Sequence, residues 1–234
     1  MEPSTGTGGG IAERLAQVRE TIARAAARAG RDPAGVTLVA VSKTRSPDEV
    51  RAAAAAGQLD FGENYAQELA AKRAALADLP HLRWHMIGHL QRNKVKLLVP
   101  GLHLLQTVDS PRLVETLDRR LAEHDGRLDV LVQIDVAGEE QKAGLAPDDA
   151  PALLDALRAR PRLRLRGLMA IPPWTLDGEG SRPYFRALRE LADRLGLGPG
   201  ERELSMGMSD TYAVAVEEGA TLVRVGTAIF GPRG

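Results

Sequence analysis

The sequence contains no cysteine, and its basic and acidic residues balance at 31 each. The lack of cysteine excludes disulfide bonds, thiolate metal sites and cysteine nucleophiles. The charge balance leaves no excess basic field that would collect nucleic acid or anionic lipid, so we expect neither a nucleic-acid partner nor a membrane partner. No stretch of the chain is apolar for long enough to span a bilayer.

Residues 1–10 are polar and rich in glycine, and they lack the apolar core of a secretory signal. We therefore expect a disordered tail over residues 1–10 and a cytoplasmic location. No internal repeat and no proline- or serine-rich linker interrupts the rest of the chain. Residues 11–234 are accordingly predicted to form one domain.

Eight β-type segments alternate with helical segments along the chain, beginning with a strand over residues 36–44 and ending with one over residues 221–230. This alternation is typical of a parallel sheet with right-handed crossovers. The predicted fold class is α/β, a single (β/α)8 TIM-type barrel with an extra N-terminal helix over residues 11–29. A doubly wound open sheet has the same periodicity, because periodicity does not show whether a sheet closes.

Lys43 stands at the end of the first predicted strand, after an apolar and β-branched run. One interpretation is a solvated lysine in the loop that leads to the next helix. The other is a desolvated amine with a lowered pKa, able to form a Schiff base with an aldehyde. The choice depends on whether distant segments place a phosphate site at the same end of the sheet.

Residues 205–210 (SMGMSD) form a predicted turn that enters a helix, and Arg224, Gly226 and Thr227 end the last predicted strand. The turn is compatible with an ordinary helix N-cap or with an anion site. In TIM barrels, the loops after strands seven and eight are the usual phosphate site, and strand eight neighbours strand one. Amine and phosphate would then lie at opposite ends of one small planar ligand, and pyridoxal phosphate, which carries an aldehyde, has that shape.

The chain resembles the pyridoxal phosphate homeostasis protein family, which is similar to the barrel domain of alanine racemase. The resemblance covers the chain from residue 11 onward and rests on motifs in the family's order. These motifs are residues 39–44 (VAVSKT), 61–65 (FGENY), 84–94 (WHMIGHLQRNK), 167–169 (GLM), 205–209 (SMGMS) and 224–231 (RVGTAIFG).

The resemblance implies a cofactor, pyridoxal 5′-phosphate, and a set of residues that contact it. Lys43 would hold the cofactor as a Schiff base, and Ser205 or Arg224 would face the pyridine nitrogen. An arginine in that place would disfavour protonation of the ring nitrogen. The residues implied to bind the cofactor are Lys43, Asn64, Ser205, Met208, Ser209, Arg224, Gly226 and Thr227.

Two further features of the sequence are candidate sites. His85 and His89 have the spacing of a helical metal pair, but residues 84–87 are predicted to be strand, in which that spacing does not converge, so no metal site is expected. Lys142 is either a solvated loop lysine or a second amine that receives the aldehyde in transit.

Three functions remain open at this point. The first is a protein that holds pyridoxal phosphate and passes it on, without catalytic residues; its expected partners include other B6 vitamers and apo-enzymes, and its expected state is a monomer or weak dimer. The second is an amino-acid racemase, which needs two bases, whereas the chain has only Tyr65, Tyr184 and Tyr212 as tyrosines. The third is a phosphate-binding barrel that never binds pyridoxal phosphate.

Overall fold

The computed structural model describes residues 10–138, 144–173 and 176–232. Its eight strands are parallel and form one closed barrel in chain order. The predicted barrel is therefore confirmed, and the alternative of an open sheet is excluded. The strands are β1 (Thr37–Val41), β2 (Asp60–Glu63), β3 (Arg83–Met86), β4 (Leu104–Val108), β5 (Leu128–Ile134), β6 (Leu163–Ala170), β7 (Glu203–Ser205) and β8 (Leu222–Val225).

Helices lie between the strands and cover the outside of the barrel. Within the part of the chain that the structure describes, none of them is long and apolar enough to cross a membrane. The helices are α1 (Ile11–Arg28), α2 (Pro47–Ala55), α3 (Ala66–Ala75), α4 (Val95–Leu98), α5 (Pro111–Ala122), α6 (Ala150–Arg158), α7 (Gly178–Arg194), α8 (Tyr212–Glu217) and α9 (Thr227–Phe230). Single 3₁₀ turns occupy Pro33–Gly35, Arg92–Lys94 and Pro147–Asp149.

Two hydrophobic clusters hold the barrel together. The larger lies between the strands and the surrounding helices, and the buried Leu15, Val18 and Ile22 of α1 belong to it. The predicted N-terminal helix is thus confirmed, and its apolar face packs on α8 and α9. A second cluster fills the inside of the barrel with residues from five strands. Its members are Val39, Leu104, Leu131, Met169 and Leu222.

The last predicted strand, over residues 221–230, is too long. β8 ends at Val225, and Thr227–Phe230 forms the short helix α9. The chain turns at Gly226, whose carbonyl oxygen accepts hydrogen bonds from the N–H groups of Ile229 and Phe230. Ile229 and Phe230 are buried in this helical turn, so their apolar side chains extended the strand-like pattern beyond the strand itself.

A buried lysine holds the turn that follows β1. Lys72 of α3 is 4% exposed, and its ammonium donates to the carbonyl oxygen of Ser42 at 2.5 Å. The same ammonium donates to one carboxylate oxygen each of Glu63 and Glu68, both at 2.7 Å. The hydroxyl group of Ser42 also donates to Glu63, at 2.6 Å. The residue before Lys43 is therefore fixed from both its backbone and its side chain.

The residue after Lys43 is fixed by the same cluster. The backbone N–H of Thr44 donates to Glu68 at 2.6 Å, and Thr44 has a φ of 64°. A β-branched residue rarely adopts this left-handed conformation without support from its surroundings. Helix α2 begins directly afterwards with a capping box between Ser46 and Glu49. Together these contacts determine where the Lys43 side chain leaves the barrel.

Glu63 is the member of this cluster whose charged form is most disfavoured by burial. Its side chain is fully buried, and its Oε2 atom has no hydrogen-bond partner. Burial raises the pKa of Glu63 above its ordinary value of 4.5, although the hydrogen bonds from Lys72 and Ser42 act in the opposite direction. Lys72 is therefore the counter-charge that makes the buried carboxylate tolerable.

We predict that the substitution Lys72→Met lowers the free energy of unfolding by about 3 to 5 kcal/mol, because it leaves the Glu63 carboxylate buried without a counter-charge. Chemical denaturation at neutral pH measures this loss. The matched control is Arg51→Met, which removes an exposed ion pair with Asp78 and is expected to change the free energy of unfolding little. Equal losses in the two variants would contradict this account of the cluster.

The loss should also depend on pH. In the Lys72→Met variant, the pKa of Glu63 is raised in the folded state but not in the unfolded state, so the folded state binds more protons between those two values. Stability then rises as the pH falls through this window. The deficit of the variant relative to the wild-type protein should therefore shrink as the pH is lowered from neutrality toward the ordinary pKa of a glutamate.

Candidate functional site

One cavity lies at the carboxyl ends of the strands, where TIM barrels bind their ligands. Its volume is about 430 Å³, which is in the range of small-molecule sites. The residues that line it come from the ends of β1, β2, β3, β6, β7 and β8. They are Val41, Lys43, Arg45, Asn64, Ile87, Ile171, Met208, Ser209, Asp210, Arg224, Gly226 and Thr227.

Most of the residues implicated by the sequence meet in this cavity. Those that line it are Lys43, Asn64, Met208, Ser209, Arg224, Gly226 and Thr227. Ser205 does not line the cavity; it is fully buried behind Arg224. Lys142 lies outside the described residues, as do residues 1–9 of the predicted tail.

Lys43 and Asn64 are placed by two different features. Lys43 is half-buried in the turn after β1 and forms part of the cavity wall. Asn64 follows β2, and the backbone of Gly88 lies against it. A Cβ atom at Gly88 would stand 2.2 Å from the Asn64 carbonyl oxygen, so only glycine allows this approach. The glycine of residues 84–94 thus sets the position of Asn64.

Two hydroxyl groups meet on the side of the cavity formed by β7 and β8. The Oγ atom of Ser209 lies 3.3 Å from the Oγ1 atom of Thr227 and accepts a hydrogen bond from the N–H of Gly226 at 3.2 Å. Gly207 makes the preceding turn possible. Its φ is 90°, and a Cβ atom there would stand 2.5 Å from the Ala215 side chain. This pair of hydroxyls offers hydrogen-bond donors to an anion.

Arg224 is a buried cation on the cavity wall, 4% exposed. Its Nη1 donates to the Oγ atom of Ser205 at 2.6 Å, and its Nη2 donates to the carbonyl oxygen of Ala170 at 2.9 Å. Burial lowers the pKa of Arg224 to about 10, which still leaves the guanidinium charged at neutral pH. Ser205 and Arg224 are the two residues expected to face a ring nitrogen. Only Arg224 of these two lines the cavity.

The charged groups on the cavity wall favour an anionic ligand. Lys43, Arg45 and Arg224 are basic, and Asp210 is acidic. Arg45 is also anchored: it donates to the carbonyl oxygens of Gly231 and Pro232 and pairs with a glutamate at 3.4 Å. The described wall thus carries an excess of positive charge next to the hydroxyl pair.

Five lining residues are not among those predicted to bind the cofactor, although one of them, Asp210, belongs to the predicted turn over residues 205–210. Val41 is the last residue of β1, whereas Ile87 and Ile171 come directly after β3 and β6. Arg45 and Asp210 lie in the loops after β1 and β7. Their position at strand ends was the available signal. The sequence alone does not show which of several residues at a strand end turns inward.

The two histidines of residues 84–94 diverge, as their predicted strand geometry requires. His85 is buried in the barrel, whereas His89 is exposed and lies 3.2 Å from Asp109. The structure does bring ligand atoms of Asp60, His85 and His103 within 4.8 Å of one another at the opposite mouth of the barrel. However, Asp60 already binds the Arg83 guanidinium and the Nε2 atom of His85.

The sequence matches the family model described as alanine racemase, N-terminal domain, over residues 14–234. It is 48% identical over 223 residues to the pyridoxal phosphate homeostasis protein of Pseudomonas aeruginosa, with 95% of this chain and 96% of that protein covered. The corresponding protein of Escherichia coli K12 is 43% identical over 230 residues, with 95% and 97% covered.

Solved structures agree with these matches. PipY of Synechococcus elongatus, solved with pyridoxal phosphate bound, has a TM-score of 0.83 and 40% identity, covering 94% of this chain and all of that one. Alanine racemase of Corynebacterium glutamicum, at 16% identity and a TM-score of 0.70, shares the fold alone, and the match covers 95% of this chain and 62% of that one. The chain described here therefore belongs to the pyridoxal phosphate homeostasis protein family.

Proposed function

We propose that this protein binds pyridoxal 5′-phosphate covalently at Lys43, holds it reversibly and passes it to apo-enzymes. The observation that carries the proposal is the convergence of an amine, a hydroxyl pair and a buried guanidinium on one cavity of about 430 Å³. PipY, which is 40% identical, has pyridoxal phosphate bound. Binding of other B6 vitamers and a state of monomer or weak dimer remain predictions.

Each group on the cavity wall has a distinct part in this proposal. Lys43 would hold the cofactor through its amine, and the cofactor would supply the aldehyde for that link. Ser209 and Thr227 donate hydrogen bonds to the phosphate, whose negative charge the basic wall favours. Arg224 would face the pyridine nitrogen. Because a guanidinium offers only N–H donors, it disfavours a proton on that nitrogen and weakens the cofactor as an electron sink.

The acid–base groups on the wall support a holding role. Among the described residues, the ionisable groups that line the cavity are Lys43, Arg45, Asp210 and Arg224. Guanidinium groups do not act as general acids or bases near neutral pH, so Lys43 would need Asp210 as its partner in a two-base reaction. Tyr65, the tyrosine closest in sequence to the site, is 61% exposed and does not line the cavity.

We predict that borohydride reduction after incubation with pyridoxal phosphate fixes the label on Lys43, and that Lys43→Ala abolishes this labelling. Peptide mapping identifies the modified lysine. The control Lys96→Ala removes an exposed lysine of α4 and should leave the labelling unchanged. A wild-type protein that remains unlabelled would favour the barrel that binds only phosphate.

The phosphate contacts give a second prediction. Ser209→Ala combined with Thr227→Ala should weaken cofactor affinity about 100-fold or more, because each hydrogen bond to a charged group contributes about 1.5 to 3 kcal/mol. Equilibrium binding measures the change, and circular dichroism verifies the fold. The control combines Thr21→Ala and Thr116→Ala, whose hydroxyls donate to carbonyl oxygens on exposed helix faces. Unchanged affinity in the folded test variant would place the phosphate elsewhere.

The third prediction concerns turnover. Wild-type protein should racemise alanine no faster than the Lys43→Ala variant, while an apo-enzyme in the same tube gains activity as it takes up the cofactor. Chiral chromatography follows the first reaction, and the activity of the recipient enzyme follows the second. Racemisation that requires Lys43 and is lost in Asp210→Asn would instead establish a two-base enzyme.

A further inference from the structure

A chain of hydrogen bonds crosses the inside of the barrel beneath the cavity. It begins at Arg224, whose Nη1 lies 2.6 Å from the Oγ atom of Ser205. Ser205 in turn lies 2.6 Å from the Oε1 atom of Gln106, on the far side of the barrel. The Nε2 atom of Gln106 is 3.0 Å from Nδ1 of His85, and Nε2 of His85 is 3.0 Å from Asp60.

The direction of each bond follows from the two ends of the chain together with the orientation of the Gln106 amide. Arg224 can only donate. At the other end, Asp60 is ionised: although burial acts against it, the hydrogen bonds from His85 and Arg83 lower the pKa of Asp60. An ionised carboxylate can only accept, so Nε2 of His85 donates to it, and Nδ1 accepts because the NH₂ group of Gln106 faces it at 3.0 Å.

The side-chain amide of Gln106 connects His85 to Ser205 and determines which of its neighbours donates and which accepts. Gln106 must donate to Nδ1 of His85 through its NH₂ group, so its Oε1 atom faces Ser205 and accepts the hydroxyl proton. That leaves a lone pair of Ser205 for Arg224. Gln106 is fully buried and supplies an acceptor on one side and a donor on the other. A hydroxyl with its proton turned toward Arg224 would oppose a guanidinium donor instead.

We propose that Gln106 is a positioning residue that acts through Ser205 to hold the Arg224 guanidinium in place against the bound ligand. This inference rests on the proposed function for the identity of the ligand, but the orientation of Arg224 is a property of the unliganded protein. Gln106 itself does not line the cavity. Its effect on the ligand is therefore indirect and passes through two hydrogen bonds.

The test compares three substitutions of buried glutamines. Gln106→Met removes the acceptor for Ser205 at similar volume. Gln106→Glu keeps an acceptor there and serves as the conservative variant. Gln133→Met is the matched control, because Gln133 is a buried glutamine of β5 two residues after Leu131, just as Gln106 of β4 follows Leu104. Thermal unfolding of all three variants reports stability separately.

The first measurement uses the protein without ligand. The ¹⁵N–¹H signals of the Arg224 side chain, assigned by their loss in Arg224→Ala, report how firmly the guanidinium is held. We expect slow hydrogen exchange in the wild-type protein, Gln106→Glu and Gln133→Met, and at least tenfold faster exchange in Gln106→Met. Exchange in Gln106→Met at the wild-type rate would overturn the proposal, whatever the ligand proves to be.

The second measurement uses the protein loaded with pyridoxal phosphate. Release should be up to about tenfold faster in Gln106→Met, the change that corresponds to one hydrogen bond between neutral groups, and the absorption spectrum should shift because the donor at the ring nitrogen moves. Gln133→Met should keep the wild-type rate and spectrum. If the wild-type protein takes up no cofactor, the proposed function fails, while the exchange measurement still decides the role of Gln106.

A double substitution tests the route of the effect. Ser205→Ala removes the acceptor at Arg224 directly and should reproduce the exchange rate of Gln106→Met. Because both changes break the same connection, the combined variant should exchange no faster than either single variant. Additive effects would show that Gln106 does not act through Ser205. Ser205→Ala also replaces Gln106→Met as the test variant if the latter does not fold.

Discussion

The pairing of β1 with β8 is the contact on which the site depends. These strands are hydrogen-bonded over the register that places Val39 opposite Arg224. Lys43 follows the first strand and Thr227 follows the last, so they are neighbours only because the sheet closes. In an open sheet with the same strand order, they would lie at opposite edges. Gly226 lets the end of β8 approach the end of β1 closely, since a Cβ atom at Gly226 would stand 3.2 Å from the carbonyl oxygen of Val41.

The fold and most of the cavity wall could be predicted from the sequence because both follow from local patterns. Strand and helix periodicity gave the order of elements, and the rule that ligands bind at the carboxyl ends of barrel strands then located Lys43, Ser209 and Thr227 together. The end of β8 was predicted wrongly because Ile229 and Phe230 are buried in a helical turn as they would be in a strand.

What could not be predicted depends on contacts across the barrel. Gln106 and Ser205 are 99 residues apart and touch only because β4 and β7 face each other through the interior. Without closure and strand tilt, no pattern shows that Ser205 lies behind Arg224. Lys72 had a weak local signal, since it shares a buried helix face with Ala66 and Leu69, but its carboxylate partner Glu63 lies on β2.

The two buried cations near the cavity differ in how their charge is balanced. Lys72 is paired with two carboxylates, so its positive charge is neutralised within the protein. Arg224 donates to a hydroxyl and a carbonyl oxygen, which are both neutral. The absence of charge compensation by these acceptors agrees with the lowered pKa of Arg224. Its charge therefore remains available to a ligand that offers electron pairs.

The one-way order of donors and acceptors from Arg224 to Asp60 also constrains how related sequences can vary. Replacing Gln106 with a residue that only donates would place a donor opposite the Ser205 hydroxyl, whose proton would then have no acceptor there. Such a change is tolerated only when a neighbour changes with it. These positions should therefore covary as a group, and a library that randomises them singly would discard combinations that function together.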